Sequence, residues 1–287
     1  MATLKNLTIN DTGFLKLPSG TTAQRPASPN TGMMRFNTDL GTSEIYDGSL
    51  WIDPSTGYPV GGTIVTSDLQ LHYDFGDRAS YYSTRDIVFD VSVNGNHGRM
   101  LNGVSWNSAN SGSGVFDGVN DYITVPKFTN KPTTQISCEA WIRPTKPSVG
   151  TGTIRGGAIS STNTMYLGII DSIDGGNTFA MHWANQTSVN RLSNWNSNIP
   201  NNSWSHLMGT YNGSTTRAYL NSVEIYSEGQ TGTIPDATYV VGTYGPTLTD
   251  VTHNFHGNIA IARIYNRGLS GAEVAQNFNA QRSRFRV

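Results

Sequence analysis

Leu69, Leu71, Tyr73 and Phe75 alternate with Gln70, His72 and Asp74, the two-residue period of a strand with one buried face. The same alternation recurs over residues 122–125, 136–142, 166–170, 178–183, 205–211, 216–220, 223–226, 239–242 and 259–265. Asn221-Ser222 falls between two of these runs, where a two-residue hairpin turn belongs. Many strands with Gly-rich turns, and no helices alternating between them, predict an all-β fold: an antiparallel two-sheet jelly-roll sandwich. Near the end the period changes. Ser270-Gly271-Ala272-Glu273 forms a capping box, and Val274 and Phe278 follow four apart, which predicts a short C-terminal helix over about 271–281. The basic tail Arg282-Ser283-Arg284-Phe285-Arg286 is expected to be solvated, with docking to another subunit as the alternative.

Residues 1–60 read differently. Strand-like pieces at 33–37 and 43–46 flank the turn Thr38-Asp39-Leu40-Gly41, and 46–51 reads as a second tight hairpin. This hairpin-rich segment has few large apolar residues, so it is expected to order against a partner surface. The Gly- and Pro-rich stretch 54–62 reads as a linker. Two domains are therefore expected, 1–60 for anchoring and oligomerisation and 63–287 for the sandwich.

Composition narrows the function. Of 287 residues only 14% are charged and the net charge is −1, which gives no footprint for nucleic acid. No apolar run approaches the ~20 residues of a membrane span. The first residues show no secretory h-region, so synthesis without export from a cytosol is expected. The single cysteine, Cys138, shares its alternating face with Ile136, Ala140 and Ile142 and is read as a small buried apolar residue.

Two resemblances cover different parts of the chain. Asp90-Val91-Ser92-Val93-Asn94-Gly95-Asn96-His97-Gly98, Phe116-Asp117-Gly118-Val119-Asn120-Asp121-Tyr122-Ile123 and Ile136-Ser137-Cys138-Glu139-Ala140-Trp141-Ile142 are three of its pieces. Trp204-Ser205-His206, Phe255-His256-Gly257-Asn258-Ile259 and the run 262–270 follow in order. Together they resemble the laminin-G-like, concanavalin A-like lectin/glucanase superfamily, whose fold is a two-sheet jelly roll. The stretch 17–39, continuing into Glu44-Ile45-Tyr46-Asp47-Gly48-Ser49-Leu50-Trp51, looks like a segment of tailed-phage structural proteins. That resemblance implies a virion component (fibre, neck or baseplate appendage, or capsid decoration), contacts to other virion proteins and a homo-oligomer, with a trimer favoured. Arg25, Arg35, Tyr46 and Trp51 are its candidate assembly residues. The alternatives are a cellular lectin-like adhesion module and a glycoside hydrolase.

Candidate sites follow from the residues. Glucanases on this fold carry an E-x-D-x-x-E type strand, because retaining hydrolysis needs two carboxylates ~5–5.5 Å apart. No such run exists here, and Glu139 stands alone on its strand, so no enzyme is expected. Many members of the superfamily hold calcium at the sandwich rim. Asp90, Asp117, Asn120 and Asp121 are the candidate ligands, with Asx turns as the rival reading. His253 and His256 have poor spacing for a metal on a strand, and His97 is read as a turn residue. For host-surface glycan the candidates are Trp195, Trp183, Asn194 and Asn196, with Trp195 expected in a long polar loop over 184–203.

Overall fold

The computed structural model describes residues 15–38, 41–49, 51–52, 54, 63–81, 86–125, 128–146, 155–161, 165–171, 178–185, 192–243 and 253–287. The chain divides into two compact units, Met1–Gly61 and Gly62–Val287.

Unit 1 is a four-stranded sheet of β1 (Ser19–Gly20), β2 (Met34–Asn37), β3 (Thr42–Tyr46) and β4 (Trp51–Ile52). The two hairpins fall where the turn residues place them. β1 adds a parallel edge to β2, too short to leave a period in the sequence. A 3-10 turn, Thr22–Gln24, follows β1.

Unit 2 begins with β5 (Leu69–Asp74), β6 (Ile87–Val88), β7 (Gly98–Leu101), β8 (Ser105–Asn107), β9 (Ser113–Asp117) and β10 (Tyr122–Thr124). It continues with β11 (Ile136–Pro144), β12 (Arg155–Ser161), β13 (Met165–Asp171), β14 (Thr178–Asn185) and β15 (Leu192–Pro200). The last strands are β16 (Ser205–Tyr211), β17 (Thr215–Leu220), β18 (Val223–Gly229), β19 (Tyr239–Val241) and β20 (His256–Tyr265), before the helix α1 (Gly271–Phe285). They form an antiparallel sandwich. One sheet runs β15-β14-β13-β12-β19-β10-β7-β6 and the other β18-β17-β16-β11-β20-β9-β8, with β5 also paired to β20. The β17–β18 turn holds Asn221 and Ser222 at φ +50° and +67°, the backbone of a type I′ hairpin.

The two sheets enclose one core. Ile136, Cys138, Ala140 and Ile142 of β11 point into it, beside Leu71, Tyr73, Leu167, Ile169, Phe179, Leu207 and Ile259. The alternate residues of β11 are buried as well, because α1 covers the other side of that sheet. Trp141 packs there with Ile261, Phe278 and Phe285. The rings of Trp141 and Phe278 stack at 5.6 Å, and those of Trp141 and Phe285 at 4.3 Å. Burying one such ring is worth roughly 1.5–3 kcal/mol.

Four expectations need correcting. β5 is buried on both faces, not one, since His72 and Asp74 point toward the α1 side. The helix starts where the capping box puts it, with Ser270 N–H donating to Glu273 Oε2 at 2.9 Å, but it runs on to Phe285. The basic tail is therefore docked: Arg284 pairs with Asp74 at 2.7 Å and donates to the carbonyls of Asn110 and Gly112, and Phe285 is buried. Finally, nine residues of the expected loop over 184–203 are the strand β15, paired with β14 at the sheet edge. Its Asn and Ser residues hide the period, but Ile199 is fully buried opposite Phe179.

Candidate functional site

The strongest electrostatic centre lies beneath α1. Glu139 of β11, Arg263 of β20 and His206 of β16 sit on adjacent strands, and Asn277 comes down from the helix; all four are fully buried. Glu139 Oε1 accepts from Arg263 Nη1 at 2.7 Å and lies 3.2 Å from His206 Nε2. Its Oε2 accepts from Asn277 Nδ2 at 2.7 Å. Burial pushes the Glu139 carboxyl up, but the Arg263 charge, then His206 and Asn277, pull it down to about 2. His72, cross-strand from Arg263, is lowered to about 3 by burial first and then by that guanidinium. An ion pair this deep, with Arg263 Nε and Nη2 left without partners, is sealed from any substrate. A carboxylate and a guanidinium in the middle of two largely apolar strands, Glu139 and Arg263, were the sequence signal for it.

The calcium candidates separate. Asp90 clamps backbone: its carboxylate accepts from the N–H groups of His72, Ser92 and Asn96 at 2.8, 2.9 and 2.9 Å and from Ser92 Oγ at 2.8 Å. His97 Nδ1 accepts Asp90 N–H, which gives that histidine its turn role. Asp117 Oδ1 accepts from Val119 and Asn120 N–H, an Asx turn, and Asp121 Oδ2 accepts Asp117 N–H at 3.0 Å. The Asp121 carboxyl is raised by burial and, against the Asp117 N–H bond, by the Asp117 charge; its Oδ1 has no partner. Among the described residues no three His, Cys, Asp or Glu side chains gather as a metal would require, so Asp90, Asp117 and Asp121 form no such set. Calcium wants six to eight oxygens, and the Asp90 carboxylate, Asp117 Oδ1 and Asp121 Oδ2 already accept hydrogen bonds within their turns.

The glycan candidates lie on paired strands. Trp183 of β14 is opposite Leu192, and Met181 is opposite Asn194 of β15. The register then jumps, so that residues 195–198, Trp195 and Asn196 among them, stand against Ala180 as a bulge on the edge strand. The side chains of Trp183, Asn194, Trp195 and Asn196 lie outside the described residues. The indole of Trp204 is structural: its Nε1 donates to Asn110 Oδ1 and its ring packs on Phe285 at 4.7 Å.

In unit 1 the candidate assembly residues turn inward. Arg25 reaches Glu44 at 2.6 Å and Arg35 lies 3.6 Å from the same carboxylate, which is fully buried. Tyr46 and Trp51 pack together at 5.6 Å, and Arg25 lies over the Trp51 ring. These contacts hold the unit together.

Comparison with known proteins bears on the sandwich. No curated protein sequence matches the chain. Among solved structures it is similar to domain 4 of AbnA, a GH43 extracellular arabinanase from Geobacillus stearothermophilus, in complex with arabinotriose. That likeness has 18% identity and a TM-score of 0.55, and covers 74% of this chain and 98% of that one. It is similar to the Botulinum neurotoxin serotype D ligand binding domain in complex with N-acetylneuraminic acid, at 17% identity and a TM-score of 0.57 over 76% of this chain and 52% of that one. The binding domain of Paraclostridial Mosquitocidal Protein 1 gives 17%, 0.55, 74% and 52%. The chain thus spans about half the length of the toxin binding domains, and at these identities the likeness is one of fold. The family model described as the concanavalin A-like lectin/glucanases superfamily matches residues 117–275, from the end of β9 into α1 and more than half of the chain. The chain belongs to the concanavalin A-like lectin/glucanases superfamily.

Proposed function

We propose that unit 2 is a non-catalytic module that binds carbohydrate, and that unit 1 mounts it on the virion of a tailed phage. The observation that carries the binding half is the β14–β15 edge, where Trp183, Asn194, Trp195 and Asn196 fall on two neighbouring strands with a bulge between them. Indoles offer apolar faces to sugar rings and amides both donate to and accept from hydroxyls. Similar domains were solved with arabinotriose and with N-acetylneuraminic acid, which supports the same use of the fold here. Hydrolysis is disfavoured because Glu139, the buried carboxylate of β11, is committed to Arg263 beneath the helix. The phage half rests on the resemblance of residues 17–51.

The test is a glycan array probed with the full chain displayed in many copies, since single contacts are weak and avidity adds ~10²–10⁴. Binding to a defined glycan, lost in Trp195→Ala with an unchanged thermal midpoint and without release of reducing ends, is expected. An array ignored throughout overturns the sugar reading. Immunogold labelling of purified phage particles tests the second half, and unlabelled virions would refute it.

A further inference from the structure

The sheet of unit 1 has its polarity reversed. On β2 the buried residues are Arg35 and Asn37, while Met34 and Phe36 are 41% and 39% exposed. Register turns this into two faces, because directly opposed residues of an antiparallel ladder point the same way. Met34 is opposite Ile45, Ile45 is opposite Ile52, and Phe36 is opposite Ser43. Those five residues make one face. Arg35 is opposite Glu44, and the inward face they share with Asn37 and Trp51 is the polar interior described above. The apolar face is extended by Leu15, 67% exposed, around a groove of about 350 Å³ lined by Leu15, Lys16, Leu17, Ser19, Phe36 and Ser43.

We propose that this apolar face is the contact between copies of the chain. Charge selects the occupant. Of the ionisable side chains described in unit 1, Arg25, Arg35 and Glu44 are spent on one another, Asp47 sits in the β3–β4 turn, and Lys16 borders the groove. A charged partner finds little to pair with. A second copy brings the same largely apolar surface, with Lys16 its one described charge, Phe36 to offer and the groove to receive, and a self-complementary patch is what a symmetric contact requires. Area sets the strength. Strands ~4.8 Å apart rising ~3.3 Å per residue give a face on the order of 300 Å², well under the ~800 Å² per partner of a stable complex. The contact is therefore weak and reversible between free molecules and becomes firm where copies are arrayed.

The inference is independent of sugar binding. Sedimentation velocity of the full chain over a wide concentration range tests it, with Met34→Lys and Phe36→Lys on the face and Val223→Lys, an exposed position on β18, as the control. Concentration-dependent association is expected for the wild type and for Val223→Lys, and at least tenfold weaker association for the two face variants. Phe36→Ser removes the ring without adding charge and should weaken association in the same direction, which guards against a lysine that merely unfolds the unit. A wild type that stays monomeric, or face variants that associate as the wild type does, overturns the inference; either result points to another occupant. Glycan binding by monomeric Phe36→Lys is read separately, so either proposal can fail alone.

Discussion

Asn277 of α1 donates from Nδ2 to Glu139 Oε2 at 2.7 Å, and its Oδ1 accepts Val65 N–H at 2.8 Å. One amide thus joins the helix, a central strand and the first residues of unit 2. Tyr265 completes the knot: its hydroxyl donates to Val65 O and accepts from Asn277.

Removing the carboxylate leaves Arg263 charged and unpaired in the core. Glu139→Ala is expected to cost ~3–5 kcal/mol in urea denaturation. The double variant Glu139→Gln with Arg263→Met, which removes both charges, should recover much of that loss.

Acid should loosen the same region. His72 and Glu139 both have lowered folded-state values, so the unfolded chain takes up protons first as pH falls. The His72 contribution is whole above its ordinary value of 6.5 and is lost on the way down to about 3. That of Glu139 is whole above 4.5 and is lost toward about 2. The urea midpoint is expected to hold near neutrality and to fall steadily below about pH 6. His72→Gln should flatten the upper part of that fall. A midpoint that rises as pH drops from 6 to 4 would contradict the assignment.

The helix should matter through its rings. Phe278→Ala is expected to cost roughly 3–5 kcal/mol, because the ring is 4% exposed and stacked on Trp141. Truncation after Gln281 removes Phe285 and the Arg284–Asp74 pair and should lower the thermal midpoint clearly, where loss of a solvated tail would leave it unchanged.

The β17–β18 turn offers a stabilising change. Ser222 is held at φ +67°, a conformation that costs a non-glycine residue roughly 1–2 kcal/mol. Ser222→Gly creates Asn-Gly, the preferred type I′ pair, and should raise stability by up to about 1 kcal/mol.

Strands such as β11 and β16 were legible because their core-facing residues alternate. β6, β7, β8, β9, β12 and β15 were not: β6 has two residues, β7 and β9 are short, β8 is exposed throughout, β12 opens on Arg-Gly-Gly, and β15 is written mostly in Asn and Ser. Burial of both faces of β5 could not be read from its alternation, since a polar position under a docked helix looks like one in water until its partner is known. The same blindness hid Glu44 in unit 1, where Arg25 lies nineteen residues away in sequence. The turn chemistry of Asp117 left the calcium question open, because a carboxylate that caps an Asx turn reads the same in sequence as one that holds an ion.

The ties on residues 63–65 have a mechanical meaning. Gln276 Nε2 donates to Thr63 O, Asn277 holds Val65 N–H and Tyr265 holds Val65 O, all just ahead of β5. Tension entering the sandwich from its N-terminal side reaches these bonds before it reaches any strand, and it must strip them from a helix capped and stacked in place before β5 can be drawn off β20.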